Sequence, residues 1–217
     1  MKKVVVSLSG GLDSATLLAT AIAEGNEVQA VGFLYGSNHN RWEIQSATKL
    51  AEHYKIPFEL IDVQRVFVGF KSNLLGGTIP EGHYEDESMK LTVVPGRNII
   101  FASILAGYAC SYGIDEVWLG IHAGDRAIYP DCRPEFYNNM TLAVSAGTDE
   151  KVLLKAPFLF ETKAQIVKKG LELGVPYELT RTCYKSQQLA CGKCGSCVER
   201  LEAFEKNGVI DPIEYEK

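Results

Sequence analysis

The 217-residue sequence predicts an α/β fold in which helices cover both faces of an open, mostly parallel sheet. Two observations lead to this prediction. Short apolar runs alternate along the chain with segments of helical spacing, and the first apolar run ends in a glycine turn that leads directly into a helix. Ligands of such sheets gather at the carboxyl ends of the strands, so the functional residues are expected in the loops that follow the strands.

The predicted elements succeed one another in a regular order. Apolar runs predict strands at residues 4–8, 28–34, 58–61, 116–120 and 152–155. Helical spacing predicts helices at residues 15–25, 41–54, 95–112, 134–146 and 162–173. Thr162 and Gln165 have capping-box spacing at the start of the last of these helices. We expect a main domain, residues 1–180, and a small appended segment, residues 181–217, which we call the cysteine segment.

Two stretches interrupt this order. Residues 63–96 lose the periodicity and contain a glycine pair, Gly76-Gly77, and an acidic run. They are interpreted either as a lid or dimer contact, or as a disordered, solvated loop. Residues 121–134 form a polar loop, marked by prolines, after the predicted strand 116–120. The substrate is expected to bind beside this loop because of its position at the end of a strand.

The composition favours a small-molecule partner. The net charge is −5 and no run of Lys or Arg is present, which argues against a free-standing nucleic-acid binder. The sequence enters its first predicted strand without the pattern of a secretory signal, and no apolar run approaches the length of a membrane span. A cytoplasmic protein without a membrane partner is expected. Disulfides are uncommon in that compartment, so the six cysteines need another explanation.

Residues 9–14 read Ser-Gly-Gly-Leu-Asp-Ser and join the first predicted strand to the first predicted helix; we call them the phosphate loop. Gly10 and Gly11 permit a positive φ and a close approach of an anion to the backbone. The free N–H groups and the positive end of the macrodipole at a helix start attract negative charge, and Ser9 and Ser14 add hydroxyl donors. The spacing is neither that of a Walker loop nor Gly-x-Gly-x-x-Gly. The pattern therefore predicts an anion site of another type.

Four cysteines cluster in a stretch that has little helical or strand periodicity. Cys191, Cys194 and Cys197 have Cys-x-x-Cys spacing, and Cys183 precedes them. Four thiolates suit a closed tetrahedral zinc site of structural role, which would fix a segment too small to form its own core. Two alternatives stay open, namely an iron–sulfur cluster and redox-active or unligated thiols.

The other two cysteines have separate interpretations. Cys110 falls on the apolar face of a predicted helix and is expected to be a small core residue. Cys132 shares the polar loop 121–134 with His122, so a nucleophile with a nearby base is a second hypothesis for that loop.

Three features together carry a resemblance to a known family. The phosphate loop resembles the pyrophosphate loop of the ATP pyrophosphatases, which cleave ATP between its α and β phosphates and adenylate a substrate oxygen. Combined with Tyr-Pro-Asp-Cys-Arg at residues 129–133 and the four late cysteines, nearly the whole chain resembles the 7-cyano-7-deazaguanine synthase family of queuosine biosynthesis. The resemblance implies a Rossmann-like, adenine nucleotide alpha hydrolase-like fold with one structural Zn²⁺ in a segment packed on the catalytic domain.

The resemblance implies an ATP-dependent C–N ligase. Such an enzyme converts 7-carboxy-7-deazaguanine and ammonia to the 7-cyano compound through adenylated intermediates and an amide, with Mg²⁺ assisting. The chemistry is consistent, because a carboxylate is a poor electrophile until AMP is attached, and dehydration of an amide needs a second activation of the same kind. The resemblance also implies a homodimer.

Site residues follow from the same resemblance. The expected catalytic residues are Ser9, Asp13, Ser14 and Lys163, which would act around the departing pyrophosphate. The expected ATP-binding residues are Leu8, Ser9, Gly10, Gly11, Leu12, Asp13, Ser14, Phe33 and Arg97. Asp131 would accept two parallel N–H bonds from the guanine-like edge of the substrate, with Arg133 and Tyr129 beside it. The expected metal ligands are Cys183, Cys191, Cys194 and Cys197.

Two departures from the family pattern leave alternatives open. Residues 36–43 and 123–128 differ from the commonest family sequence near the expected pocket. A related enzyme that stops at the amide or uses another acceptor is therefore a second hypothesis. A PP-loop enzyme that thiolates tRNA is a third, although the acidic charge argues against it. A non-catalytic nucleotide sensor is a fourth.

Overall fold

In the computed structural model, which describes residues 1–217, five parallel strands form one sheet in the order β3-β2-β1-β4-β5. The strands are β1 Lys3–Ser7, β2 Glu27–Leu34, β3 Phe58–Asp62, β4 Glu116–Trp118 and β5 Leu153–Lys155. Val5 of β1 pairs with Gln29 on one side and with Val117 on the other. Strand order reverses at β1, so a crevice opens beyond the carboxyl ends of β1 and β4. The predicted parallel α/β fold is confirmed.

Six α-helices cover the two faces of the sheet. They are α1 Leu12–Ala23, α2 Asn40–Tyr54, α3 Arg97–Tyr112, α4 Pro134–Gly147, α5 Lys163–Glu172 and α6 Gly195–Glu205. The capping box predicted for α5 is present, since Thr162 and Gln165 exchange hydrogen bonds at its start. No helix combines the length and the apolar character that crossing a bilayer requires.

The central strands β1, β2 and β4 are buried on both faces of the sheet, and successive residues of each strand point to opposite sides. Val4 and Val6 of β1 join Trp118 in one core of 22 buried residues, to which α1, α2, α5 and α6 contribute. Val5 joins Val117 in the other core, of 33 buried residues, to which α3 and α4 contribute. This two-sided burial explains why the strands are continuous apolar runs in the sequence.

α6 is a helix that the sequence pattern did not predict, since the cysteine segment has little periodicity. The buried face of this helix includes Gly195, Ser196, Cys197 and Arg200. Small, polar and charged residues on the buried side give no apolar stripe, so the periodicity that reveals other helices is absent here.

Residues 63–96 are ordered and packed, so the solvated-loop alternative is wrong. They contain three short 3-10 helices, and Phe67, Leu74 and Met89 belong to the larger core. The loop also contacts the cysteine segment. A Cβ on Gly195 would lie 2.8 Å from the Met89 sulfur, and the backbones of Glu81 and Cys194 form an isolated antiparallel β-bridge. The loop thus covers the cysteine segment and the edge of the core.

Cys110 is exposed, so its assignment to the core is wrong. The buried residues of α3 include Leu105, Ala106 and Ala109. Cys110 follows Ala109 directly, and one residue along a helix turns the side chain by about 100°, away from the buried stripe. The helix is apolar on several sides, which is why its sequence did not distinguish the buried face.

The cysteine segment packs against the preceding residues 1–180. Its four clustered cysteines are buried in the larger core. The backbone N–H of Arg181 donates to the carbonyl of Gly10 in the phosphate loop, at 2.9 Å. The buried Arg200 guanidinium forms an ion pair within the segment, with Nε 2.6 Å from Asp211 Oδ2, and also donates to the Tyr177 carbonyl oxygen at 3.2 Å. The hydrogen bonds of Arg181 and Arg200 thus connect the segment to the rest of the chain.

Candidate active site

The phosphate loop leaves β1 and enters α1 at the centre of the sheet. Gly10 has a φ of +84°, and a Cβ there would lie 2.4 Å from the Glu43 carbonyl oxygen and 2.7 Å from the backbone nitrogen of Ala47. Only glycine lets the loop pass so close to α2. Gly11 is the N-cap of α1, and no side chain caps the helix. The loop therefore offers uncapped N–H groups at a helix start, as an anion site requires.

The two serine hydroxyls of the loop are held close together. Ser9 Oγ lies 3.1 Å from Ser14 Oγ, and Ser14 Oγ donates to the Gly11 carbonyl oxygen at 3.1 Å. The Gly11 N–H donates to Ser9 Oγ at 3.3 Å. These bonds pre-position polar groups around the start of α1, so an incoming anion would find them already in place.

A lysine at the start of α5 lies beside the loop among three partners. Lys163 Nζ is 2.7 Å from Asp13 Oδ2, 3.2 Å from Glu199 Oε2 and 3.1 Å from His122 Nε2. We call these four residues the lysine cluster. They come from α1, α5, α6 and the loop after β4. The cluster therefore brings side chains of the sheet's loops and helices together with a side chain of the cysteine segment.

The loop after β4 adds an acid and a histidine to this cluster. His122 is buried, and its Nε2 lies 3.3 Å from Asp125 Oδ2. His122 Nδ1 accepts the N–H of Gly124 at 3.1 Å, which leaves Nε2 to donate to Asp125; the approach of Nε2 to the Lys163 ammonium is then a close contact between two donors and not a hydrogen bond. Asp125 in turn accepts a hydrogen bond from the Tyr84 hydroxyl at 2.8 Å. A continuous polar network thus runs from the phosphate loop into the neighbouring part of the pocket.

Burial and charge set the protonation states in the lysine cluster. Burial opposes ionisation of Asp13, yet the Lys163 ammonium and His122 outweigh it and hold the pKa of Asp13 below its usual value. Burial also opposes the charge of Lys163, but Asp13 and Glu199 keep the pKa of Lys163 above its usual value. Burial raises the pKa of the Glu199 carboxyl. Lys163 is therefore a fixed cation at neutral pH.

Beyond the lysine cluster the pocket opens into an aromatic space. Tyr84, Tyr129 and Tyr184 line it together with Arg97, and we call these four residues the tyrosine chamber. The Tyr84 and Tyr129 rings are 6.0 Å apart, and the Tyr84 and Tyr184 hydroxyls are 3.5 Å apart. Burial raises the pKa of Tyr84 and of Tyr184, so both hydroxyls are neutral hydrogen-bonding groups. A flat, polar heterocycle with an anionic substituent suits such a chamber.

Part of the pocket wall is apolar. Phe33 and Phe101 stack with ring centroids 4.0 Å apart and an interplanar angle of 7°. Gly32, the neighbour of Phe33 in β2, faces the Phe58 ring, where a Cβ would lie 2.8 Å from a ring carbon. All four residues line the same pocket as the phosphate loop.

The pocket brings together most of the residues expected from the sequence. Those that line it are Leu8, Ser9, Gly11, Leu12, Asp13, Ser14, Phe33, Arg97, Tyr129 and Lys163. Three others do not line it. Gly10 packs against α2, while Asp131 and Arg133 face away from the pocket.

Asp131 and Arg133 brace the structure around the chamber. Asp131 Oδ2 accepts the backbone N–H of Asn98 at 2.8 Å, at the start of α3. Arg133 is exposed, and its Nε donates to the Arg126 carbonyl oxygen at 3.0 Å. The Asp131 bond holds the backbone next to Arg97, and the Arg133 bond holds the loop that contains Tyr129.

Several pocket residues were not among the predicted site residues. They are His39, Tyr84, Asp125, Tyr184 and Ser196. His122 and Glu199 do not line the pocket but contact Lys163, which does. The loop 121–134 was expected at the substrate, so the position of Asp125 and His122 in that loop was a usable signal. Tyr84 and Tyr184 reach the pocket, and Glu199 reaches Lys163, only through long-range packing, which no local pattern reveals.

The hypothesis of a Cys132 nucleophile with His122 as its base gains no support. Cys132 Sγ lies 3.3 Å from the Asn98 side-chain nitrogen, and His122 is engaged with Lys163 and Asp125. Burial raises the pKa of the Cys132 thiol well above its usual value. The thiol is therefore protonated and poorly nucleophilic.

The four cysteines of the cysteine segment form a site that fits a metal ion. The sulfurs of Cys183, Cys191, Cys194 and Cys197 are buried and lie within 4.8 Å of one another. Tetrahedral zinc–thiolate bonds of about 2.3 Å place sulfurs about 3.8 Å apart, close to this spacing. Backbone N–H groups also point at sulfur, with Cys194 N 3.2 Å from Cys191 Sγ. Such donors stabilise thiolates, the form that binds metal.

The parallel sheet, with a phosphate loop at the end of its central strand, defines a doubly wound α/β protein with an anion site at the start of α1. A solved structure with this fold is the NMN synthetase of Francisella tularensis, at a TM-score of 0.54 and 19% identity over 96% of this chain and 78% of that one. The chain belongs to the QueC family, described as "Queuosine biosynthesis protein QueC", whose profile matches residues 3–208.

Relatives extend over nearly the full chain. The 7-cyano-7-deazaguanine synthase of Hahella chejuensis is 47% identical and aligns with 99% of this chain and 93% of its own length. That of Marinobacter nauticus is 48% identical, with 99% of this chain and 97% of its own length covered. The fold and the family named by the sequence resemblance are confirmed.

Proposed function

We propose that this chain is an ATP-dependent ligase that converts 7-carboxy-7-deazaguanine and ammonia to 7-cyano-7-deazaguanine. The observation that carries the proposal is one continuous pocket, which holds an uncapped helix start and Lys163 at one end and the tyrosine chamber at the other. The relatives that align along the whole chain carry the name of this activity. Small molecules are the substrates such a pocket accepts.

The first step is adenylation of the carboxylate. A carboxylate oxygen attacks the α-phosphorus of ATP, the bond from that phosphorus to the bridging oxygen of the β-phosphate breaks, and pyrophosphate leaves. Charge on the pyrophosphate grows as this bond breaks. The N–H groups at the start of α1, the Ser9 and Ser14 hydroxyls and the Lys163 ammonium are placed to stabilise that charge.

The second step forms an amide and the third a nitrile. Ammonia adds to the activated carbonyl carbon, AMP leaves and a proton is lost, which gives the amide. The amide oxygen then attacks a second ATP and pyrophosphate leaves again. The amide nitrogen loses both of its protons as AMP departs, which gives the nitrile. Both adenylations release pyrophosphate at the same place, so one phosphate loop serves both.

Within this proposal the residues take definite roles. Phe33 and Leu8 border the adenine, and Arg97 is the second cation of the pocket, placed for the acidic groups of the substrates. Tyr129 and its neighbours in the tyrosine chamber hold the deazapurine. Asp131 and Arg133, expected at the substrate, act in this proposal through the backbone that carries Tyr129.

Two metal ions belong to the proposal. Asp13 Oδ1 is buried without a hydrogen-bond partner, and a carboxylate oxygen there fits a water of an Mg²⁺ ion that accompanies ATP. When bound, Mg²⁺ supplies charge neutralisation to the phosphates. The four cysteines fit one structural Zn²⁺, because a closed set of four thiolates leaves no position for a reacting water.

Other parts of the proposal concern organisation and place. We propose residues 1–180 as the ATP-binding catalytic domain and residues 181–217 as the zinc-binding segment packed on it. A cytoplasmic homodimer that acts without nucleic acid fits the formal net charge of −5. Sedimentation of the purified protein tests the dimer.

The decisive experiment uses purified protein, Mg²⁺-ATP, ammonium and 7-carboxy-7-deazaguanine, with the products identified by mass spectrometry. The nitrile, with AMP and pyrophosphate, is the expected product. Accumulation of the amide alone would replace the proposal by a ligase that stops one step earlier. Unchanged acid, with ATP turnover stimulated by tRNA, would replace it by the thiolation alternative.

A further inference from the structure

Glu199 belongs to the cysteine segment, but its side chain lies in the lysine cluster. Cys194 is the N-cap of α6, and Cys197 lies within the helix, half a turn before Glu199. Glu199 Oε2 lies 3.2 Å from Lys163 Nζ. Because a helix is rigid over this distance, the cysteine cluster fixes where the Glu199 carboxylate can lie.

Other residues of the same segment line the pocket, although Glu199 itself does not. Thr182 and Tyr184, on either side of Cys183, line the pocket, and so does Ser196, next to Cys197. Arg181 lines it as well and donates its backbone N–H to Gly10 in the phosphate loop. Residues adjacent to metal-site cysteines are thus in contact with the space where ATP and substrate would meet.

We propose that Glu199 is a positioning residue for Lys163, so that the four-cysteine cluster orients the lysine that stabilises the departing pyrophosphate. The identity of the departing group rests on the proposed function. Lys163 has two carboxylate partners, and Asp13 alone would hold the ammonium against the first turn of α1. Glu199 attracts the ammonium from α6, and the two attractions together set its position.

Gly124 provides a second and independent observation. A Cβ on Gly124 would lie 2.6 Å from Glu199 Oε1 and 3.0 Å from His122 Cε1. The loop after β4 therefore has no side chain at the point where the Glu199 carboxylate needs room. Gly124→Ala would displace that carboxylate from Lys163 without removing any charge from the pocket.

The test compares three variants of the full chain. Glu199→Gln removes the charge, and Gly124→Ala moves it. Glu202→Gln is the control, since this residue lies on the same helix with its side chain 42% exposed. Pyrophosphate release with Mg²⁺-ATP and 7-carboxy-7-deazaguanine is measured together with the metal content of each protein.

In the first two variants kcat is expected to fall about 10- to 100-fold, as for a small misplacement of a catalytic group. KM for ATP should change less than about threefold, because the contact strengthens in the transition state. Metal content and the control variant should match the wild type. A wild-type kcat in Glu199→Gln would overturn the proposal, and so would loss of the metal in that variant.

A spectroscopic measurement reads the same contact without turnover. The ¹H–¹⁵N signal of the Lys163 ammonium, assigned by its absence in Lys163→Arg, should shift and exchange faster in Glu199→Gln and Gly124→Ala but not in Glu202→Gln. An unchanged signal would overturn the positioning role. A changed signal in a protein whose wild type releases no pyrophosphate would count against the proposed function alone.

Discussion

The phosphate loop and the cysteine segment shape the same pocket by different means. The loop is six consecutive residues between one strand and one helix, and its form depends on local backbone geometry such as the positive φ of Gly10. The cysteine segment contributes Tyr184 and Ser196 to the pocket and Glu199 beside Lys163, from separated positions held by the cysteine cluster and by contacts with residues 63–96. One region is built from contiguous residues, and the other depends on four cysteines that fit a metal cross-link. The difference predicts that they fail in different ways.

Loss of the cross-link should have the largest effect. Cys194→Ser removes one of the four cysteines proposed to hold zinc, so a metal bound there is expected to be lost and pyrophosphate release to fall more than about 1,000-fold. Hydrogen exchange should quicken in residues 181–199 while β1 and α1 stay protected. Metal analysis and exchange mass spectrometry check this outcome. Wild-type activity in metal-free protein would show that the segment needs no cross-link.

A change in the phosphate loop should lower activity and leave the cysteine segment intact. Asp13→Asn removes the strongest partner of Lys163, so kcat for pyrophosphate release is expected to fall about 100-fold, the typical cost of losing one preorganised charge. The metal content should equal that of the wild type. Asp149→Asn, at a position 92% exposed, is the matched control. Loss of metal in Asp13→Asn would mean that the two regions are not separable.

The close approach of the phosphate loop to α2 is tested by Gly10→Ala. The new Cβ would meet backbone atoms of α2 and take up a disfavoured φ, so the free energy of unfolding should fall by about 3 kcal/mol. Gly25→Ala provides the comparison, because Gly25 has a φ of +76° but a Cβ there would meet no atom within 4 Å. That variant should lose only about 1 kcal/mol. Denaturant unfolding measures the loss of stability in both variants. Equal losses would show that the close approach of Gly10 to α2 does not matter.

The smallest effect is a pH dependence of stability. The folded-state pKa of Asp13 lies below its ordinary value of 3.8, since Lys163 and His122 favour the charged form despite burial. Its contribution to stability is therefore present above pH 3.8 and is lost as pH falls through the lowered pKa. Wild type should be more stable than Asp13→Asn by about 1 kcal/mol at pH 7, and the gap should close in stronger acid. A gap independent of pH would contradict the assignment.

The fold was largely predictable because its signals are local. The central strands, buried on both faces, appear as apolar runs, and five of the six helices have helical spacing of apolar residues in the sequence. α6 does not, since Arg200 is fully buried in an ion pair with Asp211, a partner that no local pattern identifies. The packing of residues 63–96 was not predicted for a similar reason, because Leu74 and Met89 lie among irregular turns without periodicity.

Site residues that are contiguous in the sequence were predicted, and those brought together only by folding were not. The phosphate loop is an unbroken motif, and Lys163 lies at a recognisable helix start. In the run 129–133 only part of the motif reaches the pocket, because a short 3-10 turn directs Asp131 to the start of α3 while Tyr129 faces the chamber. Glu199 lies far from Lys163 in sequence, and only the folded chain brings them together.

The hydrogen bond from Arg181 to Gly10 has a consequence for synthesis in the cell. A ribosome extends the chain by about 5–20 residues per second, and the phosphate loop emerges long before residues 181–199. Until those later residues arrive, the Gly10 carbonyl and the Lys163 ammonium lack partners that they have in the finished protein. Nucleotide turnover should therefore be withheld from the nascent chain and begin only when nearly the whole sequence has left the exit tunnel.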